Sequence, residues 1–412
     1  MSFASFVLPA FLLLPSAFAA APQSPFLTQL IAGAEAKIKL APDNPDGYSD
    51  LAFGLARRSR ETEDPLFWKP AEEAISTALR LKPGHFEARK TRVLIRLQQG
   101  RYADAEEEGK ALNKQTPDDN PLYGYLSEAA LAQGRYAEAE ALTQRMLDLR
   151  QVNGPGLQKA AAVREAIGFP DGAIDFWNSA LHLASNSDFE ERAYILTELA
   201  GLARRLARFT EAERYAANAL ALEADYPAAL IEQARIALDE GKPEAALAPL
   251  TARLKQSDSF AAQYFMTVAL EAAGKSAEVE ASSRKFLQLQ ARAVGLKSRN
   301  ELLARYFTGH GQAVKAVGLL QAEAANGFDR QTGDAYAMAL LESGNTAQAA
   351  REIAKALEPG VRDPRLFLHA AHIARANKDT AQAQVFLKKC IEANASSSYA
   401  ETAIRELQST GK

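Results

Sequence analysis

One short phrase returns along this chain at a nearly fixed interval. Residues 97–106 read LQQGRYADAE and residues 131–140 read LAQGRYAEAE, so Gly100 and Gly134 stand 34 residues apart. The register continues through Gly168, Ala207, Gly241, Gly274, Gly311, Gly344 and Lys378, in steps of 34, 39, 34, 33, 37, 33 and 34 residues. A recurrence of this length is the mark of a stacked array. Each unit is too small to bury its apolar face alone and shares one core with its neighbours.

Every interval has the same internal grammar. Apolar residues at helical spacing precede the turn, as in Leu122, Tyr123, Leu126, Ala129 and Ala130, and a second set follows it, as in Ala139, Leu142, Met146 and Leu149. The turn residue is usually Gly, which takes the left-handed geometry that ends a helix. Five positions later comes a small residue: Ala105, Ala139, Ala173, Ala212, Ala246, Ala316, Ala349 or Ala383. A small side chain there lets two antiparallel helices approach. Val279 breaks the pattern, so the seventh repeat is expected to splay. Pro83, Pro117 and Pro359 fall at or near the ends of second helices, where Pro stops a helix. Composition agrees: 47% of the 412 residues are apolar, too long a chain for one globular core. Forty-eight Lys and Arg face 51 Asp and Glu, for a net charge of −3. That balance lacks the basic excess needed to hold a nucleic-acid backbone and is unlike a disordered chain.

These residues resemble the tetratricopeptide repeat family, whose unit is a helix–turn–helix of 34 residues. The family's aromatic after the turn is matched by Tyr102, Tyr136, Phe169 and Phe209, and its early aromatic by Tyr48 and Tyr123. The resemblance covers about 45–395 and extends to exported bacterial proteins of this family with unassigned function. It implies an all-α, right-handed superhelical solenoid of about ten repeats, with a capping helix at each end. It also implies a concave wall of first helices that binds other protein chains. The expected organisation is a signal peptide over 1–19, an N-terminal capping helix within 20–43, the solenoid over 44–395, and a C-terminal capping helix and tail over 396–412. The caps are placed at Phe26–Leu40 and Tyr399–Leu407. The first repeat carries a charged, loop-like insertion over 60–66, between a helix at Tyr48–Arg58 and one at Pro70–Leu81. The 39-residue step is expected to lengthen the loop near Ser185–Asp188, and the 37-residue step the region near Gln290–Gly295.

The N-terminus reads as an address. An apolar run over 3–19 is broken by Pro9 and Pro15 and ends in Ala17-Phe18-Ala19, a small-residue cleavage signal, although the usual positive start is missing. The expectation is an exported protein, periplasmic or secreted, cleaved near Ala19. An uncleaved membrane anchor is the alternative, and membrane contact is expected only through this segment. The chain has one cysteine, Cys390, so no intramolecular disulfide can form.

No catalytic signature is present, and neither an enzyme activity nor a cofactor is expected. Gly154-Pro-Gly156 lacks the rest of a nucleotide loop and reads as the start of a helix. Cys390 could pair with His369 or His372 as a nucleophile, but sits at a buried small-residue position and reads as a packed thiol. His369 and His372 share a helix face at i, i+3 and could bind a transition metal, line the groove, or lie on plain surface. Arg89, Arg92 and Arg96 form a basic stripe on one helix. Arg92 and Arg96 stand where the family buries apolar residues; they read as pairing with Glu106, Glu107 or Glu108, or as a patch for an acidic peptide or polysaccharide.

The family register places Arg57, Thr91, Tyr125, Glu128, Lys159, Arg205, Glu232, Arg235, Phe265, Arg305, His369 and His372 on the groove. The partner-binding candidates are Arg57, Arg89, Arg92, Tyr125, Lys159, Arg205, Arg235, Arg305, His369 and His372. The leading reading is a non-catalytic protein–protein scaffold in an envelope or secretion assembly. A polysaccharide-handling module is second, disfavoured because Trp68 and Trp177 sit where they should pack. A metal carrier using His369 and His372 is third. Oligomeric state stays open: Phe367, Phe386 and Tyr399 could serve a dimer or pack under the last helix.

Overall fold

The computed structural model describes residues 25–62, 64–150, 152–293, 296, 298–324, 329–358 and 360–410. The apolar N-terminal run with its Ala19 cleavage signal lies outside the described residues, as do Gly295 and Pro359. The described residues form twenty-two α-helices and one short 3-10 segment, with no strand. Helix α1 (Pro25–Leu40) precedes the array and α22 (Ser398–Thr410) follows it. Between them lie ten pairs. The first five are α2 (Pro45–Thr62) with α3 (Trp68–Leu81), α4 (Phe86–Gln98) with α5 (Tyr102–Gln115), α6 (Asn120–Ala132) with α7 (Tyr136–Leu149), α8 (Gly154–Ala166) with α9 (Pro170–Leu183), and α10 (Phe189–Arg205) with α11 (Phe209–Leu222). The second five are α12 (Pro227–Asp239) with α13 (Pro243–Gln256), α14 (Phe260–Ala272) with α15 (Ser276–Leu289), α16 (Arg299–Gly309) with α17 (Ala313–Ala324), α18 (Arg330–Glu342) with α19 (Thr346–Leu357), and α20 (Pro364–Ala376) with α21 (Thr380–Ala393).

The nine turn residues all adopt positive φ, including the two that are not glycine, Ala207 at 53° and Lys378 at 63°. Each turn closes in the same way. The amide after the turn residue reaches back five positions, as Arg101 N does to the Arg96 carbonyl at 2.8 Å and Asp379 N to the Ala374 carbonyl at 2.9 Å. The small residues five positions on are all buried, whereas Val279 is only half-buried.

Two expected insertions go largely into helix, although Ser185–Asp188 itself is a loop as expected. Helix α2 runs through Arg60, Glu61 and Thr62, so the front half of the charged insertion adds a turn to the helix. The 39-residue step goes mostly into α10, which has 17 residues where α8 and α12 have 13. The physical reason is shared. The extra turn of α10 carries Glu190 and Glu191, that of α2 carries Arg60, and these charges meet: Arg60 Nη2 lies 2.8 Å from Glu190 and 3.2 Å from Glu191. Arg57 joins them at 2.5 Å from Glu190, which is fully buried. Asp188 caps the longer helix by accepting from Glu191 N at 3.1 Å.

Among the described residues most neighbouring first helices pack on one another, α8 and α10 being the exception, while second helices pack mainly on first helices. The side on which neighbours are closest is the inside of a curve, so first helices line the inner wall. The curve is tight enough that residues about five repeats apart touch. Arg253 Nη2 donates to the Thr62 carbonyl at 2.9 Å, Arg330 Nη2 to Ala166 at 2.6 Å, Asn394 Nδ2 to Ala207 at 2.8 Å, and Ser398 Oγ to Asp239 at 2.9 Å. Thr62, Ala166 and Asp239 each end a first helix, and Ala207 is the turn residue just past α10. Carbonyls at helix C-termini have no partner within their own helix and carry partial negative charge. Each superhelical turn therefore caps the helix ends of the turn below.

At the C-terminus, Cys390 packs with Leu368, Leu387 and Ala403 of α20, α21 and α22, with Phe367, Phe386 and Tyr399 against the same cluster. Trp68 and Trp177 are buried on second helices α3 and α9.

Candidate partner-binding wall

A polar contact joins almost every pair of neighbouring first helices. His85, capping α4, reaches Asp46 of α2 at 2.8 Å, and Lys90 of α4 reaches Asp119 at the start of α6 at 3.0 Å. Lys159 of α8 pairs with Glu128 of α6, and Arg205 of α10 grips Glu165 of α8 with two bonds of 2.6 and 2.9 Å. Arg204 of α10 pairs with Glu232 of α12, and Arg235 of α12 stands 5.3 Å from the ring centre of Phe265 on α14. His310, ending α16, meets Glu271 of α14 at 2.9 Å. Arg305 of α16 and His369 of α20 both meet Asp334 of α18, at 3.2 and 2.6 Å. His372 of α20 meets Glu406 of α22 at 2.9 Å.

The predicted groove residues thus divide. Lys159, Arg205, Arg235, Arg305, His369 and His372 are rungs of this ladder. Arg57 bonds instead across the superhelical turn to Glu190. Tyr125 is half-buried against the Val93–Leu122 cluster, where burial raises its phenol well above the ordinary value. Thr91 is buried. Arg89 and Arg92 are not rungs: with Arg96 they converge on Glu108 of their own second helix, at 3.0, 2.5 and 2.8 Å.

Four carboxylates are buried hubs: Glu108, Glu190, Glu232 and Asp334. Burial alone would raise the Glu232 carboxyl, but Arg204 and Arg235 outweigh it and hold it at about 2. Burial opposes ionisation of Asp334 as well, yet His369, Arg305 and Arg365 hold that carboxyl far below the usual range. Glu190 is lowered against its burial by Arg60 and Arg57, and Glu108 by Arg92 and Arg89. Arg235, half-buried and beside Arg204, has its affinity for the proton reduced.

Sequence reasoning missed Glu165, Glu190, Arg204, Asp334 and Glu406. A usable signal was present: Lys159 and Glu128, His369 and Asp334, and His372 and Glu406 lie 31, 35 and 34 residues apart. Opposite charges about one repeat apart on first helices are placed to meet. His369 and His372 turn to different carboxylates, and among the described residues no group of three or more His, Cys, Asp or Glu could hold a metal ion.

Residues 96–162 match the family model of the tetratricopeptide repeat. No curated protein matches this chain in sequence. Among solved structures the chain is similar to PilW, a widely conserved type IV pilus biogenesis factor, with 14% identity over 50% of this chain and 92% of that one, at a TM-score of 0.41. It is similar to yeast Tom70, with 15% identity over 95% of each chain and a TM-score of 0.37. It is also similar to Naa15/Naa10 bound to HypK-THB, with 14% identity over 90% of this chain and 61% of that one, at a TM-score of 0.30.

Proposed function

We propose that this tetratricopeptide-repeat chain is a non-catalytic, exported scaffold that holds a segment of a partner protein along the inner wall of its solenoid, within an envelope or secretion assembly. The observation that carries the reading is the row of partly exposed charges on that wall. The side chains of Lys159, Arg235 and His372 are 30, 31 and 27% exposed although each is paired. Partly exposed pairs are weak, on the order of 0–1 kcal/mol each. A partner's charged groups can therefore exchange with them at little cost, while the buried hubs keep the wall's shape.

Export is supported by the apolar run ending in Ala17-Phe18-Ala19 and by a chain that is held by packing, with its one thiol buried. Among the described residues no helix is long and apolar enough to cross a membrane. The polysaccharide alternative lacks support from the two tryptophans, both buried. A photo-crosslinking residue placed at Phe265 on the wall should trap one discrete protein in an envelope fraction, and the same residue at Lys69 on the outer helix α3 should not. Equal trapping at both positions, or none at Phe265, would overturn the reading.

A further inference from the structure

We infer that Arg89, Arg92 and Arg96 form an oxyanion site that takes the carboxylates of an acidic peptide segment. The inference rests on the scaffold reading for the class of occupant, but concerns a surface separate from the ladder on the inner wall.

The three positions lie 11, 8 and 4 residues before their turn glycine. The equivalent residues are Tyr123, Leu126 and Ala130 in the next repeat, and Leu196, Leu199 and Ala203 in the fifth. Leu126, Ala130, Leu196, Leu199 and Ala203 are buried packing residues. Only the second repeat carries three guanidinium groups there. Apolar side chains at such positions usually stabilise a fold at least as well as a buried ion cluster does, so stability alone does not account for the exchange.

The cluster is also left unbalanced. Glu108 accepts from Arg89 Nε at 3.0 Å, from Arg92 Nε and Nη2 at 2.8 and 2.5 Å, and from Arg96 Nη1 at 2.8 Å, which fills both oxygens. Three cations share one anion, an excess of two positive charges. No other acceptor among the described residues takes Arg92 Nη1 or the two terminal nitrogens of Arg89. The three side chains remain 20, 36 and 21% exposed, so these donors are within reach of a ligand.

Guanidinium forks fit carboxylates in pairs. Seven residues of helix span about 10 Å, a length that accommodates two carboxylates of one extended chain. The chain's overall charge of −3 provides no broad attraction for a dense polyanion. Both tryptophans are buried, so no indole stands beside the cluster as a platform for sugar rings. A short acidic peptide is the occupant these features favour.

The test uses the full chain and a fluorescein-labelled octaglutamate peptide in 0.1 M salt, read by anisotropy. The wild-type protein should bind, and Arg92→Gln, at the most exposed of the three, should weaken binding at least fivefold. Arg89→Gln with Arg92→Gln should weaken it more than tenfold with helix content unchanged. Glu108→Gln, which removes the competing carboxylate, should tighten binding about threefold or more; a purely structural cluster would lose stability and gain no affinity. Arg214→Gln on the exposed face of α11 should change nothing. Absence of wild-type binding at millimolar peptide, or equal binding by Arg92→Gln, overturns the inference, as does binding of polygalacturonate in place of the peptide. If the crosslinked partner is still captured when octaglutamate binding is absent, the scaffold reading stands and only this site fails.

Discussion

The guanidinium of Arg253 donates to the backbone carbonyl of Thr62, 191 residues earlier in the chain, at 2.9 Å. Arg253 is 1% exposed, and Thr62 is the last residue of α2. A buried cation thus caps the negative end of a helix in the first repeat from the second helix of the sixth. Donation to a carbonyl at a helix end recurs from Arg330 to Ala166, Asn394 to Ala207 and Ser398 to Asp239, so polar contacts at helix ends help to hold successive turns of the superhelix together.

Arg253→Leu should open that seam. The loss of a buried charged donor and the orphaned carbonyl predict a destabilisation of about 1.5–3 kcal/mol. Small-angle scattering should show a larger radius of gyration while circular dichroism keeps its helical signal. An unchanged radius would show that the seam does not depend on this contact.

Lys378 holds a left-handed turn at φ 63° with an exposed side chain. A side chain in that region costs about 1 kcal/mol relative to Gly. Lys378→Gly should therefore raise the denaturation midpoint, by about 1 kcal/mol of stability, without altering the fold. A lower midpoint would contradict the strain assigned to this turn.

Glu223, just past α11, is pushed up to about 7, first by burial and then by the nearby charges of Glu61, Glu190 and Asp188. The folded state therefore holds this proton more tightly than the unfolded chain, whose carboxyl has the ordinary value of 4.5. The stabilisation is complete below about pH 4.5 and is lost as pH rises through about 7. Melting temperatures of wild type and Glu223→Gln should diverge between pH 5 and 8, with the variant losing less. Parallel curves would remove Glu223 as the source.

Asp334 is fully buried among Arg305, Arg365 and His369. Asp334→Asn should cost about 1.5–3 kcal/mol, because it removes the fully buried charged acceptor that Arg305 and His369 share. Glu406→Gln, at a partly exposed carboxylate facing His372 and Arg375, should cost under about 1 kcal/mol. Chemical denaturation of both variants measures the difference, and similar costs would mean that Asp334 is not a hub.

Burial pushes the Cys390 thiol up to about 12. In the native protein it should resist Ellman's reagent at pH 8 and react in denaturant. Fast labelling of the native chain would place it on an accessible surface.

The pairing of helices, the nine left-handed turns and the buried alanines were all legible from the amino-acid order. Each is a local event: a turn glycine, a helical apolar stripe and a small residue act within one repeat, and the period copies them. Local reading also located the wall residues Lys159, Arg205, Arg235, Arg305, His369 and His372. Their partners lie one repeat away, and Glu165, Asp334 and Glu406 look like ordinary surface acids until first helices are set side by side.

What only the tertiary structure decided are the contacts between turns of the superhelix. Neither Arg57 with Glu190 nor Arg253 with Thr62 follows the repeat period. The extra turn of α2 reads as a loop because its charges suit solvent when its repeat is considered alone, and the added length before α10 reads as loop because turn spacing does not say which element takes it. They are helical because the curvature of the whole array brings Arg60 and Glu190 together. Curvature is the sum of many small rotations between packed helix pairs, and no single repeat encodes that sum.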